Sequence, residues 1–224
     1  MKITILGSGG FEPQGTGGQV RNPAGYALTL PGGETLVLDI GFGNVRRMAQ
    51  CAIALPSITH VFLTHFHPDH WGDLPALLFN FRYAKKPEGK KLLVAGPAGT
   101  IKLVEDIHST FRGNTAPQGY ELAVAELTPG EIFRTASFSL NTTLTGHTPE
   151  ALAFRLESGG KTLAYTGDAA KPEALADFFA GADLLVGDAG MPSIATPPRP
   201  HMTPPQVLEL GRACGVRKIV FSHL

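Results

Sequence analysis

The chain has 224 residues, of which 43% are hydrophobic and 17% charged, which supports one sizeable globular domain or two fused halves around one core. Nineteen basic and nineteen acidic side chains leave a formal net charge of zero with no basic stripe, which argues against general affinity for nucleic acid. No apolar run is long enough to cross a membrane, and Met1 to Leu6 reads as a short strand and turn rather than a signal peptide, so the expected location is cytoplasmic.

In chain order, β-branched and apolar residues predict strands over 3–6, 26–30 and 35–38, with Pro31-Gly32-Gly33 turning the chain between the last two. Gly7, Gly9 and Gly10 read as a tight turn, because no Lys-Ser/Thr follows to make a phosphate loop. Residues 13–25, rich in Gly, Gln and Pro, read as a mobile loop overlooking the site. A short helix is expected over 44–51 and a buried strand over 59–63. Asp73 is placed to cap a helix running to about Tyr83, with Leu74, Leu77, Leu78 and Phe81 on one face. The pairs Lys85-Lys86 and Lys90-Lys91 form the one basic cluster, read as a solvated loop beside Pro87 and Gly89. A strand over 92–95 and a long helix over 98–111 follow.

The second half repeats the style. Residues 121–126, 138–144, 152–156 and 162–165 read as strands, and Gly159-Gly160 suits a tight hairpin turn. Residues 172–179 read as helix and 184–186 as a buried strand. Thr203-Pro204-Pro205-Gln206 joins a capping box to proline at the first helical position and opens a helix to Ala213. The last strand is 218–221. Strands grouped in each half, with helices following, predict an α/β architecture of two packed mixed sheets with helices on the outer faces, in a single domain over 1–224. Cys51 and Cys214 share no C-x-x-C and are expected to be reduced, buried, small apolar residues.

The most informative run is His65-Phe66-His67-Pro68-Asp69-His70. It follows the apolar Val61-Phe62-Leu63, so a strand ending there presents three imidazoles and a carboxylate at its C-terminal mouth. Such donors suit zinc, iron or manganese. With 8 His and 8 Asp in the chain, the pattern arises by chance in roughly one sequence in three thousand, which favours a metal site over a solvated loop. Asp39, His147, Asp168 and His223 each follow or end a β-branched or apolar run. His60, at a strand start, and His108, on a helix, fall outside the pattern and read as structural or surface residues.

These motifs, in this order and over the whole chain, resemble the metallo-β-lactamase superfamily. The resemblance implies an αββα sandwich and a metal-dependent hydrolase. It implies that His65, His67 and His147 bind a first metal, that Asp69, His70 and His223 bind a second, and that Asp168 bridges them. Two Zn2+ are the expected cofactors, with Mn2+ or Fe2+ as alternatives. Two such ions lower the pKa of a shared water and give hydroxide near neutral pH. Asp39 is expected to orient an imidazole rather than to ligate.

Three further features narrow the reaction. The complete H-x-H-x-D-H disfavours a true β-lactamase. His201-Met202-Thr203 resembles the H-x-T motif of the ribonuclease Z group, in which the histidine protonates the leaving alkoxide of a phosphodiester. Asp188, after the strand over 184–186, matches the acidic position that orients that histidine. An alkoxide leaves badly without a proton, so a positioned acid contributes about a hundredfold or more. Asp69, His201 and Asp188 are therefore the residues expected to carry the chemistry. The 20 residues between His147 and Asp168 form a hairpin, where ribonuclease Z of the common bacterial form has a long arm for tRNA. With no arm and no basic surface, tRNA is not expected as a partner, and the spacing resembles the small cyclic-phosphodiesterase branch. The expected function is a phosphodiesterase on a small or cyclic phosphodiester. The alternatives are a lactone or thioester hydrolase and a ribonuclease Z-type tRNA 3′ endonuclease. A metal-binding regulator conflicts with the intact ligand set. No membrane partner is expected, and the oligomeric state is left open, a homodimer included.

Overall fold

Twelve strands and five α-helices make up the described part of this computed structural model, which covers residues 1–10, 20–170, 172–191 and 200–224. The greater part of the expected mobile loop over 13–25, residues 13–19, lies outside the described residues. The chain divides into two compact units, one of residues 2–7 and 22–126, the other of residue 1, residues 8–21 and residues 127–224.

The first unit is a six-stranded mixed sheet in simple sequence order: β1 (Lys2–Gly7), β2 (Gly25–Thr29), β3 (Thr35–Ile40), β4 (Ile58–Phe62), β5 (Lys91–Gly96) and β6 (Glu121–Glu126). β1, β2 and β3 pair antiparallel, and β3 to β6 pair parallel. Parallel neighbours need crossovers, here α1 (Asn44–Gln50), α2 (Pro68–Trp71), α3 (Leu74–Tyr83) and α4 (Thr100–Thr110). β3 is buried at every position, which is why its central Leu36-Val37-Leu38 reads as an apolar run rather than an alternation. Leu74, Leu77, Leu78 and Phe81 of α3 join Val37, Val61 and Val94 in one core, each fully buried side chain contributing about 2 kcal/mol.

The second unit is also a six-stranded mixed sheet, in the order β12-β11-β10-β9-β8-β7. β7 (Ile132–Arg134), β8 (Ser139–Leu144), β9 (Leu152–Ser158) and β10 (Lys161–Tyr165) pair antiparallel. β11 (Leu184–Asp188) and β12 (Lys218–Ser222) extend the sheet in parallel. Gly159 and Gly160 join β9 to β10 with φ of +57° and +68°, the left-handed pair that a tight hairpin turn requires. α5 (Pro204–Ala213) starts with the expected capping box: Gln206 N donates to Thr203 Oγ1 at 3.4 Å and Thr203 N to Gln206 Oε1 at 2.9 Å. Val207, Leu210, Leu175, Phe179 and Leu185 make this unit's core.

Several expectations are corrected. Asp73 is the N-cap residue of α3, but its carboxylate accepts from Val45 N at 2.8 Å instead of capping its own helix. α4 begins at Thr100 because Gly99, at φ +106°, precedes it in the left-handed region. The helix expected over 172–179 is a 3-10 turn, Pro172–Leu175, too short a segment to propagate. β7 and α2 were not expected, being only three and four residues long. Cys214 is buried and Cys51 half-buried, and both are free thiols. Among the described residues no helix is long and apolar enough to cross a membrane.

His60 lies on β4, stacked on Phe62 at 5.8 Å. Burial, helped by the charge of Lys90, pushes its pKa down from 6.5 to about 4. The unfolded chain therefore binds the extra proton first. The contribution of His60 to stability is full above about pH 6.5 and is lost as pH falls toward about 4. His60→Phe, which removes this titration, is expected to flatten the melting temperature over that window. Identical pH slopes for wild type and variant would reject the assignment.

Candidate metal centre

Most of the imidazoles and carboxylates of interest lie at or just past the C-terminal ends of strands within each unit, and His201 lies just before α5. In open α/β sheets, ligands bind outside such ends.

In the first unit, β3 ends on Asp39-Ile40, and Asp39 is fully buried with φ +53°. Left-handed backbone costs about 1 kcal/mol or more outside glycine, least for Asp and Asn. That geometry aims the carboxylate at the segment after β4. Asp39 Oδ1 accepts from Thr64 N at 2.8 Å, and Oδ2 from Thr64 Oγ1 at 2.9 Å and His70 Nδ1 at 2.8 Å. Thr64 Oγ1 gives its hydrogen to the carboxylate and so accepts from His65 Nδ1, 3.1 Å away. Both imidazoles thus carry their hydrogen on Nδ1 and keep Nε2 as the lone-pair nitrogen. The rings of His65 and His70 lie 4.2 Å apart, and those of His65 and His67 4.7 Å. His67, exposed, opens α2, whose single turn presents Asp69 and His70, both buried, with 3.9 Å between Asp69 Oδ2 and His70 Nε2. Gly41 is required here: a Cβ on it would stand 2.1 Å from the Asp69 carbonyl oxygen.

In the second unit, His147 lies in the β8–β9 connection and donates Nδ1–H to the Pro200 carbonyl at 2.7 Å. A carbonyl only accepts, so Nε2 is again the lone-pair atom, and it faces Asp168 Oδ2 at 3.6 Å. His223, at φ +59° just past β12, places Nε2 3.2 Å from the same oxygen. Leu224 N donates to Ser8 O at 3.0 Å and holds that end of the strand. Asp188 ends β11. Its Oδ2 accepts from Ala169 N at 2.9 Å and pairs with His201 Nδ1 at 3.0 Å, and its Oδ1 accepts from Gly190 N at 2.9 Å. His201 stacks on His223 at 4.6 Å and lies 4.7 Å from the His147 ring. Asp168, Asp188, His201 and His223 each offer a donor atom within 4.8 Å of the others.

The donors fit a divalent cation. A deprotonated imidazole nitrogen facing a carboxylate oxygen, as at His147 and Asp168, is two electron-rich atoms that a metal ion between them would reconcile. The set is imidazole and carboxylate throughout, with no thiolate, which suits zinc, manganese or iron. The first unit brings together Asp39, His65, His67, Asp69 and His70. The second brings together His147, Asp168, Asp188, His201 and His223. Sequence reading missed Thr64, which links Asp39, His65 and His70. It also missed Thr166, whose Oγ1 accepts from Asp188 N at 2.9 Å, and the Pro200 carbonyl. Only the position of Thr64, directly before the histidine run, signalled it.

Comparison with known proteins agrees with this layout. The beta-lactamase superfamily domain matches residues 34–224. Ribonuclease Z of Methanosarcina acetivorans is 26% identical over 278 aligned residues, spanning 100% of this chain and 87% of that protein. The solved short form of human tRNase Z superposes with a TM-score of 0.81 at 22% identity, covering 100% of this chain and 92% of its own. A diphosphatase of the PhnP family gives 0.74 at 16% identity, covering 99% and 85%.

One expectation falls here. tRNA was not expected as a partner, yet a relative aligned along the whole chain is named ribonuclease Z, and a structural neighbour tRNase Z is named for tRNA itself. That expectation rested on the missing arm and the neutral net charge, with Lys85-Lys86 and Lys90-Lys91 read as a solvated loop, and the relatives overturn it. Residues 79–91 alone hold Arg82, Lys85, Lys86, Lys90 and Lys91 against the single acid Glu88. The chain belongs to the beta-lactamase superfamily and has the metallo-β-lactamase fold of metal-dependent hydrolases.

Proposed function

We propose that the protein is a phosphodiesterase that works with two divalent ions, zinc foremost. His65, His67 and His147 would hold one ion, Asp69, His70 and His223 the other, and Asp168 both. Bound there, the ions would supply Lewis acidity and an activated water. The observation that carries the reading is the His201–Asp188 pair, 3.0 Å apart beside Asp168 and His223. Asp188 already accepts the Ala169 amide, so it is the acceptor for His201 Nδ1–H. His201 Nε2 is then the atom that holds a proton for a departing oxygen. Asp188 fixes the ring and stabilises its charged form. A phosphodiester with an alkoxide leaving group needs such a donor, and a lactone or thioester needs it less.

Small or cyclic phosphodiesters are the first substrate class, supported by the short segment between His147 and Asp168. A second reading, an RNA 3′ endonuclease, is favoured by the whole-chain match to ribonuclease Z. The test uses zinc-loaded protein with bis-p-nitrophenyl phosphate, a 2′,3′-cyclic nucleotide, a precursor tRNA and a panel of lactones and thioesters. Turnover of diesters with none of lactones or thioesters is expected. Turnover of lactones or thioesters with every diester untouched would overturn the proposal, and the precursor tRNA decides between the two phosphodiester readings.

A further inference from the structure

A basic and aromatic strip lies on the first unit, at the end of α3 and the segment after α4. Residues 79–91 and 111–119 carry six cations, Arg82, Lys85, Lys86, Lys90, Lys91 and Arg112, against one acid, Glu88. In a chain of zero net charge this is a local excess. Aromatic faces lie among the cations. Phe79 and Tyr83, four residues apart on α3, are 50% and 56% exposed with ring centroids 4.8 Å apart, and Phe111 is 45% exposed.

The strip is tied together. Tyr83 Oη is 2.9 Å from Asn114 Oδ1, and Arg82 Nη1 donates to the Ala116 carbonyl at 2.8 Å while its guanidinium carbon lies 5.5 Å from the Tyr83 ring centroid. Lys86 and Lys90 lie over the rings of Tyr120 and Phe81 at 5.8 and 5.7 Å, and Lys91 pairs with Glu121 at 2.8 Å. Lys85 and Arg112 stay exposed. Single exposed apolar residues are ordinary. Three exposed aromatic rings set in an excess of positive charge are the combination that a nucleic-acid strand matches, its bases stacking on the rings and its phosphates meeting the cations.

We propose that this strip binds single-stranded RNA, with phosphates on Lys85, Lys86 and Arg112 and bases on Phe79, Tyr83 and Phe111. Binding here and hydrolysis at the metal centre are separable, since none of these residues belongs to the candidate site. The test is fluorescence anisotropy of a labelled 12-nucleotide RNA of mixed sequence against the full zinc-loaded chain. Three phosphate contacts predict a log–log salt slope of about −2. Arg112 sits at φ +51°, which asparagine tolerates. Lys85→Glu/Arg112→Asn is therefore expected to raise Kd about tenfold and to flatten the slope. Phe79→Ala/Tyr83→Ala is expected to raise Kd about tenfold with the slope kept. Both variants should turn over bis-p-nitrophenyl phosphate at the wild-type rate. Phe79→Ala alone and Lys85→Glu alone repeat the test should a double variant melt early. Unchanged RNA affinity in the variants would overturn the proposal. So would absence of RNA binding with sedimentation on phosphatidylserine vesicles, which would make the strip a membrane contact.

Discussion

His201→Ala is expected to keep the full metal content while slowing hydrolysis of a diester with an alkoxide leaving group by about a hundredfold or more. The same variant should lose less than about threefold on bis-p-nitrophenyl phosphate, because p-nitrophenolate departs with little need of a proton. The contrast follows from the geometry. Nδ1 of His201 is committed to Asp188 at 3.0 Å, so Nε2 is the ring atom left to act as the proposed acid, and the substitution removes it. Asp188→Asn should show the same leaving-group dependence at smaller amplitude, since the ring keeps a hydrogen-bonding neighbour but loses the charge that stabilises its protonated form. Equal losses on both substrates would mean that His201 positions the phosphate rather than protonating the leaving oxygen, and loss of metal would make it a ligand.

The parts of this molecule legible from sequence are those encoded locally. The capping box at Thr203 and Gln206 lies within four residues and formed as expected. The strand over 35–38 and the double-glycine hairpin were equally legible, and the histidine run placed three imidazoles and a carboxylate next to one strand end. Long-range commitments were not legible. Asp73 looks like a helix cap until Val45, 28 residues away, is seen to take its carboxylate. Thr64 and Thr166 look like ordinary strand-end threonines, yet each fixes a carboxylate through a backbone or hydroxyl contact set by folding. The fixing of the His147 tautomer depends on a carbonyl 53 residues later. The partner was not legible either: a neutral net charge and a short His147–Asp168 segment argued against tRNA, and Lys85-Lys86 and Lys90-Lys91 read as a solvated loop.

Metal counting supplies the second large effect. Wild-type protein dialysed against trace zinc is expected to retain about two equivalents per chain. Asp168→Ala should drop below one and lose activity by about a thousandfold, because the carboxylate proposed to serve both ions is gone and His147 Nε2 and His223 Nε2, 3.6 and 3.2 Å from it, lose their shared neighbour. Asp39→Asn is the informative companion. Asparagine accepts the +53° backbone of this position, so the substitution removes the charge behind His70 without a change of chain path. It should weaken metal affinity about 10- to 100-fold and still reach two equivalents at saturating zinc, as expected for a residue that orients a ligand without being one. A wild type that saturates at one equivalent would sink the two-ion reading. An Asp168→Ala protein that melts normally and keeps both ions would remove the bridge. If Asp39→Asn lowered the saturating stoichiometry rather than the affinity, Asp39 would be a ligand and the ligand set would need to be redrawn around it.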